Sequence, residues 1–118
     1  MDLDSLLNYE KLSIASDPNT SPEVLVLLAD DKEDWFVRCG VARNPTTPPE
    51  VLAHLAEDEG WWVRWGVVEN PNTPPETLAH LAEDKDGGVR RRVARNPNTP
   101  QYVKDYLNAM EFVRDYGS

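Results

Sequence analysis

Cysteine is nearly absent from this chain of 118 residues, with Cys39 the single example. A lone thiol excludes an internal disulfide and any cysteine-cluster metal site built by one chain, and it fits a reducing compartment. Long apolar runs are missing as well. The longest, VLVLLA over 24–29, has six residues, whereas a membrane span needs about 20. The N-terminal MDLDSLLNYEKLS lacks the basic start and extended apolar stretch of a secretory signal. Together these predict a cytoplasmic chain with no membrane segment. Bases are scarce too: 12 Lys and Arg against 21 Asp and Glu give a net charge of −9. The deficit is uneven. Residues 1–34 hold nine acids and two lysines, for −7, and residues 35–118 hold twelve acids and ten bases, for −2. An acidic chain repels phosphate backbones and so disfavours generic nucleic-acid binding. Glycine-rich phosphate loops, a nucleophile elbow and an H-E-x-x-H motif are all lacking, so no catalytic constellation, cofactor or metal is expected.

Proline, by contrast, is abundant, with ten residues. They fall in four similar phrases: DPNTSPE (17–23), NPTTPPE (44–50), NPNTPPE (70–76) and NPNTPQY (96–102), whose starts lie 27, 26 and 26 residues apart. The intervening segments are similar to one another. Self-similarity at a fixed period of this size marks a stacked array of supersecondary units.

Each unit reads as two helices. Thr20, Thr47 or Thr73 precedes Glu23, Glu50 or Glu76 by three residues, the spacing of a capping box. Pro22, Pro48-Pro49 and Pro74-Pro75 sit in the first turn, where a missing N–H costs nothing. Val24, Leu25 and Leu28, then Val51, Leu52 and Leu55, then Leu78 and Leu81 keep helical spacing up to an acidic pair. A second, shorter segment runs from Trp35, Trp61 or Gly87 to the next Asn-Pro. Its valine pairs, 37 and 41, 63 and 67, 89 and 93, are four apart. Proline disfavours helix at the residue before it. The segment therefore reads as a short helix, with 3₁₀ character among its options. Tyr9 to Ser16 aligns as a degraded second segment, with Ile14 and Ala15 at the places of Val41 and Ala42. After Asn96 the pattern is abandoned and a longer helix follows. One domain over 1–118 is expected: an N-terminal capping half-unit (1–16), full repeats (17–43, 44–69, 70–95) and a C-terminal capping helix (96–118).

A Thr-Pro-Pro-Glu start, a Leu-Ala middle, a Trp-Val-Arg segment and an Asn-Pro close, at a 26-residue period over about 17–100, resemble the leucine-rich repeat variant family. The resemblance implies an all-α fold, a right-handed solenoid or superhelix alternating α-helices with short or 3₁₀ helices. It implies no catalytic residues. Some members of the family carry a cysteine-rich iron–sulfur segment; no such stretch occurs in this sequence, and no cluster is carried over.

Candidate residues follow from repeat positions. Arg38, Arg64 and Arg90 recur in every unit and are expected to pair with the acidic pair of their own unit, such as Asp58 or Asp84, in preference to forming an anion-facing ladder. Asn44, Asn70 and Asn96 are expected to satisfy turn backbone. His54 and His80 fall off the leucine stripe and are expected exposed. Cys39 lies beside Arg38, which favours a thiolate, although a lone cysteine is more often passive. Trp62 and Phe36 are expected as half-buried packing between units. Trp35, Trp61 and Trp65 are expected as a partly exposed aromatic strip running into Arg91 and Arg92. Trp35 and Trp61 read equally well as shields of the helix junction, while at Trp65 binding is the stronger reading. Exposed aromatics beside arginine match the composition of interface hot spots.

The functional expectation is a small non-catalytic scaffold that binds another protein through Trp35, Trp61, Trp65, Arg91 and Arg92. The alternatives are nucleic-acid binding through Arg90, Arg91, Arg92 and Arg95, which the net charge opposes, and an accessory to an enzyme or chromophore system, which rests on fold analogy alone. The C-terminal helix offers two apolar stripes, one built on Tyr102, Tyr106, Ala109, Val113 and Tyr116 and one on Val103, Leu107 and Met110. Two stripes exceed what capping needs and make self-association a further option.

Overall fold

Prolines and short apolar stripes set the boundaries of every helix. The computed structural model describes residues 2–116, the side chains of 115 and 116 excepted. All regular structure among them is helical: a 3₁₀ turn at Leu3–Ser5, then α1 (Asn8–Ser16), α2 (Pro22–Ala29), α3 (Trp35–Arg43), α4 (Pro49–Leu55), α5 (Trp61–Glu69), α6 (Pro75–Leu81), α7 (Gly87–Arg95) and α8 (Gln101–Tyr116). The array is elongated, 53 × 24 × 16 Å. Successive units stack α1 on α3, α3 on α5 and α5 on α7, and α8 closes the end against α7. This is a helical-repeat solenoid.

Pro22, Pro49 and Pro75 open α2, α4 and α6 as the first helical residue, where their fixed φ suits the helix. The residue before each is extended, as a following proline requires. The expected threonine caps do not form. Thr20, Thr47 and Thr73 instead turn inward, and their hydroxyls donate to the carbonyls of Ile14, Val41 and Val67 at 2.5, 2.6 and 2.5 Å. Thr99 does the same to Val93 at 2.7 Å. The carbonyls at the end of the preceding helix lack intrahelical donors, and the hydroxyls serve these in place of the Glu23, Glu50 and Glu76 N–H groups.

The second helix of each unit is α-helical rather than 3₁₀. At nine residues it is also longer than the seven- or eight-residue first helix. Proline and the acidic loop clip the first helix at both ends, whereas the second runs unbroken to its Asn-Pro stop. Asp34 caps α3 by accepting from Phe36 N–H, and Asp86 caps α7 through Val89 N–H.

One continuous core runs along the array. Leu25, Leu28, Leu52, Leu55, Leu78 and Leu81 are fully buried against Val37, Val41, Val63, Val67, Val89 and Val93. The second helices pack very closely. A Cβ added at Gly40 would lie 3.1 Å from Ala15 Cβ, and one at Gly66 3.1 Å from Ala42 Cβ. The third unit has Arg92 at this place, and its side chain leaves sideways.

Candidate functional site

Each unit is tied to the next by a charged ladder. Arg38 Nε donates to Asp58 Oδ2 at 2.7 Å and Nη2 to Oδ1 at 3.4 Å, while Nη1 donates to the Asp31 carbonyl at 2.7 Å. Arg64 repeats this with Asp84 at 2.7 and 3.2 Å and with the Asp58 carbonyl at 2.8 Å. So the expectation of pairing within one unit fails. The arginine takes a main-chain carbonyl from its own unit and a carboxylate from the following one, because stacking brings that loop over it. The same aspartates hold their loops, accepting from Gly60 N–H and Asp86 N–H at 2.8 Å. Arg90 keeps its carbonyl, donating to Asp84 O at 2.5 Å, but has no carboxylate, and its Nε is buried without a hydrogen-bond partner among the described residues. The residue twenty positions on, where the others find aspartate, is Met110.

Lys11 was missed as a ladder residue. It occupies the arginine place in α1 and donates to Asp31 at 2.9 Å. The alignment of Ile14 with Val41 implies this, since Lys11 and Arg38 share the same offset. The hydrogen bond to Asp31 raises the Lys11 pKa above its ordinary 10.5, against the opposing effect of burial. Burial pushes the Asp31 carboxyl up, but hydrogen bonds from Lys11 and from the N–H groups of Asp34 and Glu33 outweigh it and hold the carboxyl below its ordinary 3.8. A carboxyl depressed on folding stabilises fully above its unfolded value, and that stabilisation is lost as pH falls through the folded value. A lysine raised on folding stabilises below its unfolded value and loses this as pH rises through the folded one. The melting-temperature gap between wild type and Asp31→Asn is therefore expected to be widest near neutrality. It should close as pH falls below 3.8 and again as pH rises beyond 10.5. Thermal scans across pH would detect this; a gap unchanged between about pH 7 and about pH 3 would refute it.

An asparagine ladder runs parallel. Asn44 Nδ2 donates to the Ala15 and Asp17 carbonyls at 2.8 and 2.9 Å. Asn70 donates to Ala42 and Asn44, both at 2.8 Å, and Asn96 to Val68 at 2.7 Å. Each Oδ1 accepts from the N–H two residues on, at Thr46, Asn72 and Asn98. The turn-binding half is what Asn-Pro suggests. The other half reaches across to the previous unit, which spacing alone does not show.

The aromatic residues form one surface stack. Ring centroids are 3.9 Å apart for Trp35–Phe36, 6.3 Å for Trp35–Trp62, 4.1 Å for Trp61–Trp62, 5.2 Å for Trp62–Trp65 and 5.7 Å for Trp61–Trp65. Arg92 continues it, its guanidinium 4.8 Å from the Trp65 ring and 3.7 Å from Glu69. Phe36 is 54% exposed, Trp62 41%, and Trp35 and Trp61 39% each. Trp62 has the half-buried, between-unit place expected of it, since its ring stacks on Trp35 of the preceding unit, whereas Phe36 is more exposed than expected and stacks on Trp35 of its own unit. Trp65 is the more buried member, packs on the core, and has a buried Nε1 with no hydrogen-bond partner among the described residues. Arg91 is not in the stack: its Nη2 lies beside Gly87, in a cavity between α7 and α8.

The remaining candidates are placed as follows. His54 and His80 are exposed, each facing an acid of the preceding unit, Asp30 at 3.0 Å and Glu57 at 2.5 Å. Cys39 is partly buried against the core, and that burial pushes its thiol up, against the thiolate that Arg38 was expected to favour. On α8, Val103 and Leu107 are buried, whereas Tyr102, Tyr106, Phe112 and Val113 are exposed; the Tyr116 side chain lies outside the described residues. No group of three or more His, Cys, Asp or Glu among the described residues is arranged to hold a metal, and no described helix is long and apolar enough to cross a membrane.

A family model for the leucine rich repeat variant matches residues 35–60 and 61–86, two adjacent units. No curated protein and no solved structure matches the chain.

Proposed function

We propose that this chain, which belongs to the leucine-rich repeat variant family through residues 35–86, is a non-catalytic repeat scaffold that binds another protein through its aromatic stack. The observation that carries the reading is the continuity of Trp35, Phe36, Trp61 and Trp62 on the surface, all more than a third exposed and ending at the Trp65–Arg92 pair. Soluble monomers rarely leave large contiguous apolar patches uncovered, and such patches mark contact sites. Tryptophan and arginine dominate binding energy where they are found. Support from the core is independent of the patch, because the valine and leucine interior is complete without these rings. Arg91, expected in this surface, is replaced by Phe36 and Trp62 in the proposal.

Phe36→Ser/Trp62→Ser is the test. Neither side chain belongs to the buried core, so the variant should keep its far-ultraviolet helical signature and melt within a few degrees of wild type. Affinity capture from the native host's lysate, with wild type and variant side by side, is expected to lose a specific protein with the variant. Identical lists from two equally folded baits would sink the proposal. Trp65→Ala is a poorer probe, because removing a ring that packs on the core also costs stability.

A further inference from the structure

We infer that the cavity between α7 and α8 is a binding site for a compact phosphate group. This goes beyond the aromatic stack and does not depend on it. The cavity holds about 410 Å³ and is lined by Gly87, Arg90, Arg91, Arg95, Glu111 and Arg114, among others. Arg90, Arg91 and Arg95, which make no ion pair among the described residues, thus share the cavity with one glutamate, in a chain whose net charge is −9.

Three features make this more than a basic patch. Gly87 stands where the other units have Trp35 and Trp61. The space left by the missing ring is flanked by two guanidinium groups: a Cβ at Gly87 would lie 3.4 Å from Arg90 Nη2 and 3.5 Å from Arg91 Nη2. The side chains converge although their charges repel. Secondly, Arg90 is the one ladder arginine without a carboxylate among the described residues. Its equivalents Arg38 and Arg64 each hold two oxygens of an aspartate through Nε and Nη2, so the fold itself shows that this position is suited to a two-oxygen anion. Thirdly, Arg91 and Arg95 are four apart on α7 and make no ion pair among the described residues. Like charges at that spacing destabilise a helix unless something neutralises them.

Charge decides the class of ligand. One carboxylate would leave half of the excess of Arg90, Arg91 and Arg95 over Glu111 uncompensated. A phosphate monoester carries about −1.5 to −2 at pH 7 and offers three acceptor oxygens, a match for several forked guanidinium donors. An extended nucleic acid fits less well. Its phosphates continue beyond the cavity, and the rest of this chain is acidic along a 53 Å array, with −7 in residues 1–34. The site therefore takes a single phosphate, carried on a side chain or on a small molecule.

The test uses ¹⁵N-labelled chain titrated with inorganic phosphate, O-phosphoserine and a single-stranded oligonucleotide, each matched in ionic strength with sodium chloride. Saturable shifts are expected at Gly87, Arg91 and Arg95. Arg91→Gln/Arg95→Gln, at exposed positions, should keep its fold and bind about tenfold more weakly or worse. Phosphoserine binding would place the source on an ester; binding of inorganic phosphate alone would make it a free small anion, and either supports the site. No saturable shift, or shifts unchanged in the double variant, would overturn it. A far tighter oligonucleotide complex would overturn the compact ligand in favour of nucleic acid. Phe36→Ser/Trp62→Ser should bind phosphate like wild type, so this site and the aromatic surface stand or fall separately.

Discussion

Asp84→Ala is expected to destabilise the protein by about 3–5 kcal/mol, because it leaves Arg64 buried and unpaired. Both partners of the pair are 6% exposed at the side chain, so solvent cannot take over the lost contact. Asp84 also accepts from Asp86 N–H at the start of the third unit's second helix. The stated range approaches the whole stability of a typical domain, about 5–15 kcal/mol. In a solenoid, stability is roughly the sum of unit and nearest-neighbour contributions. Asp84→Ala should therefore uncouple α6–α8 from α1–α5 and broaden the thermal transition as well as lower it. Arg64→Met/Asp84→Leu is expected to recover most of the loss, since replacing a buried pair with apolar groups is often neutral or better. Chemical denaturation of the single and double variants measures this. If Asp84→Ala cost less than about 1 kcal/mol, the pair would behave like a surface bridge, and the ladder would not be what couples the units.

Asn70→Ala should cost about 2–4 kcal/mol. Its Nδ2 serves the carbonyls of Ala42 and Asn44, and its Oδ1 serves Asn72 N–H, all at 2.8 Å. Leaving a buried polar group without its partner costs about 1–3 kcal/mol, and here two carbonyls lose their donor together. Asn70→Asp should do no better, because an ionised carboxylate accepts but cannot donate. Asn96 serves one carbonyl, that of Val68, and is only partly buried, so Asn96→Ala should cost clearly less. Urea midpoints for the three variants give the ranking. Equal losses at Asn70 and Asn96 would mean that the cost lies in the local turn and not in the cross-unit bonds.

Much of this architecture is written in the spacing of residues. The 26-residue period gave the stacking, the Asn-Pro dipeptides gave the end of each second helix, and the prolines gave the start of each first helix. These follow from local chemistry: proline fixes φ, removes a donor and restricts its predecessor. The apolar stripes likewise named the core, because burial at period 3.6 needs no knowledge of what lies opposite. The threonines are the exception. A Thr three residues before a Glu is a capping signal, but these hydroxyls turn to carbonyls of the preceding helix, which local spacing does not show.

The partner of each polar side chain was a different kind of question. Arg38 reaches Asp58, and Asn70 reaches Ala42 and Asn44, across the joint between units. A period tells that units are alike, but not how far each is displaced along its neighbour, and that displacement selects the partner. The aromatic surface was settled in the same way. Phe36 and Trp62 lie one residue from Val37 and Val63, so pattern places them near the core. Only the stacking of units shows that Trp62 meets Trp35 across the joint while Phe36 is left mostly exposed. Arg91 and Arg92, adjacent in sequence, part company as well: Arg92 lies over Trp65 while Arg91 turns to Gly87. The sequence by itself determined the repeat, its helices and its interior, because those depend on local dihedral preference and burial. The tertiary structure alone decided which charges meet, which rings face outward and that Arg90 meets no carboxylate among the described residues, because these depend on the distance between stacked units.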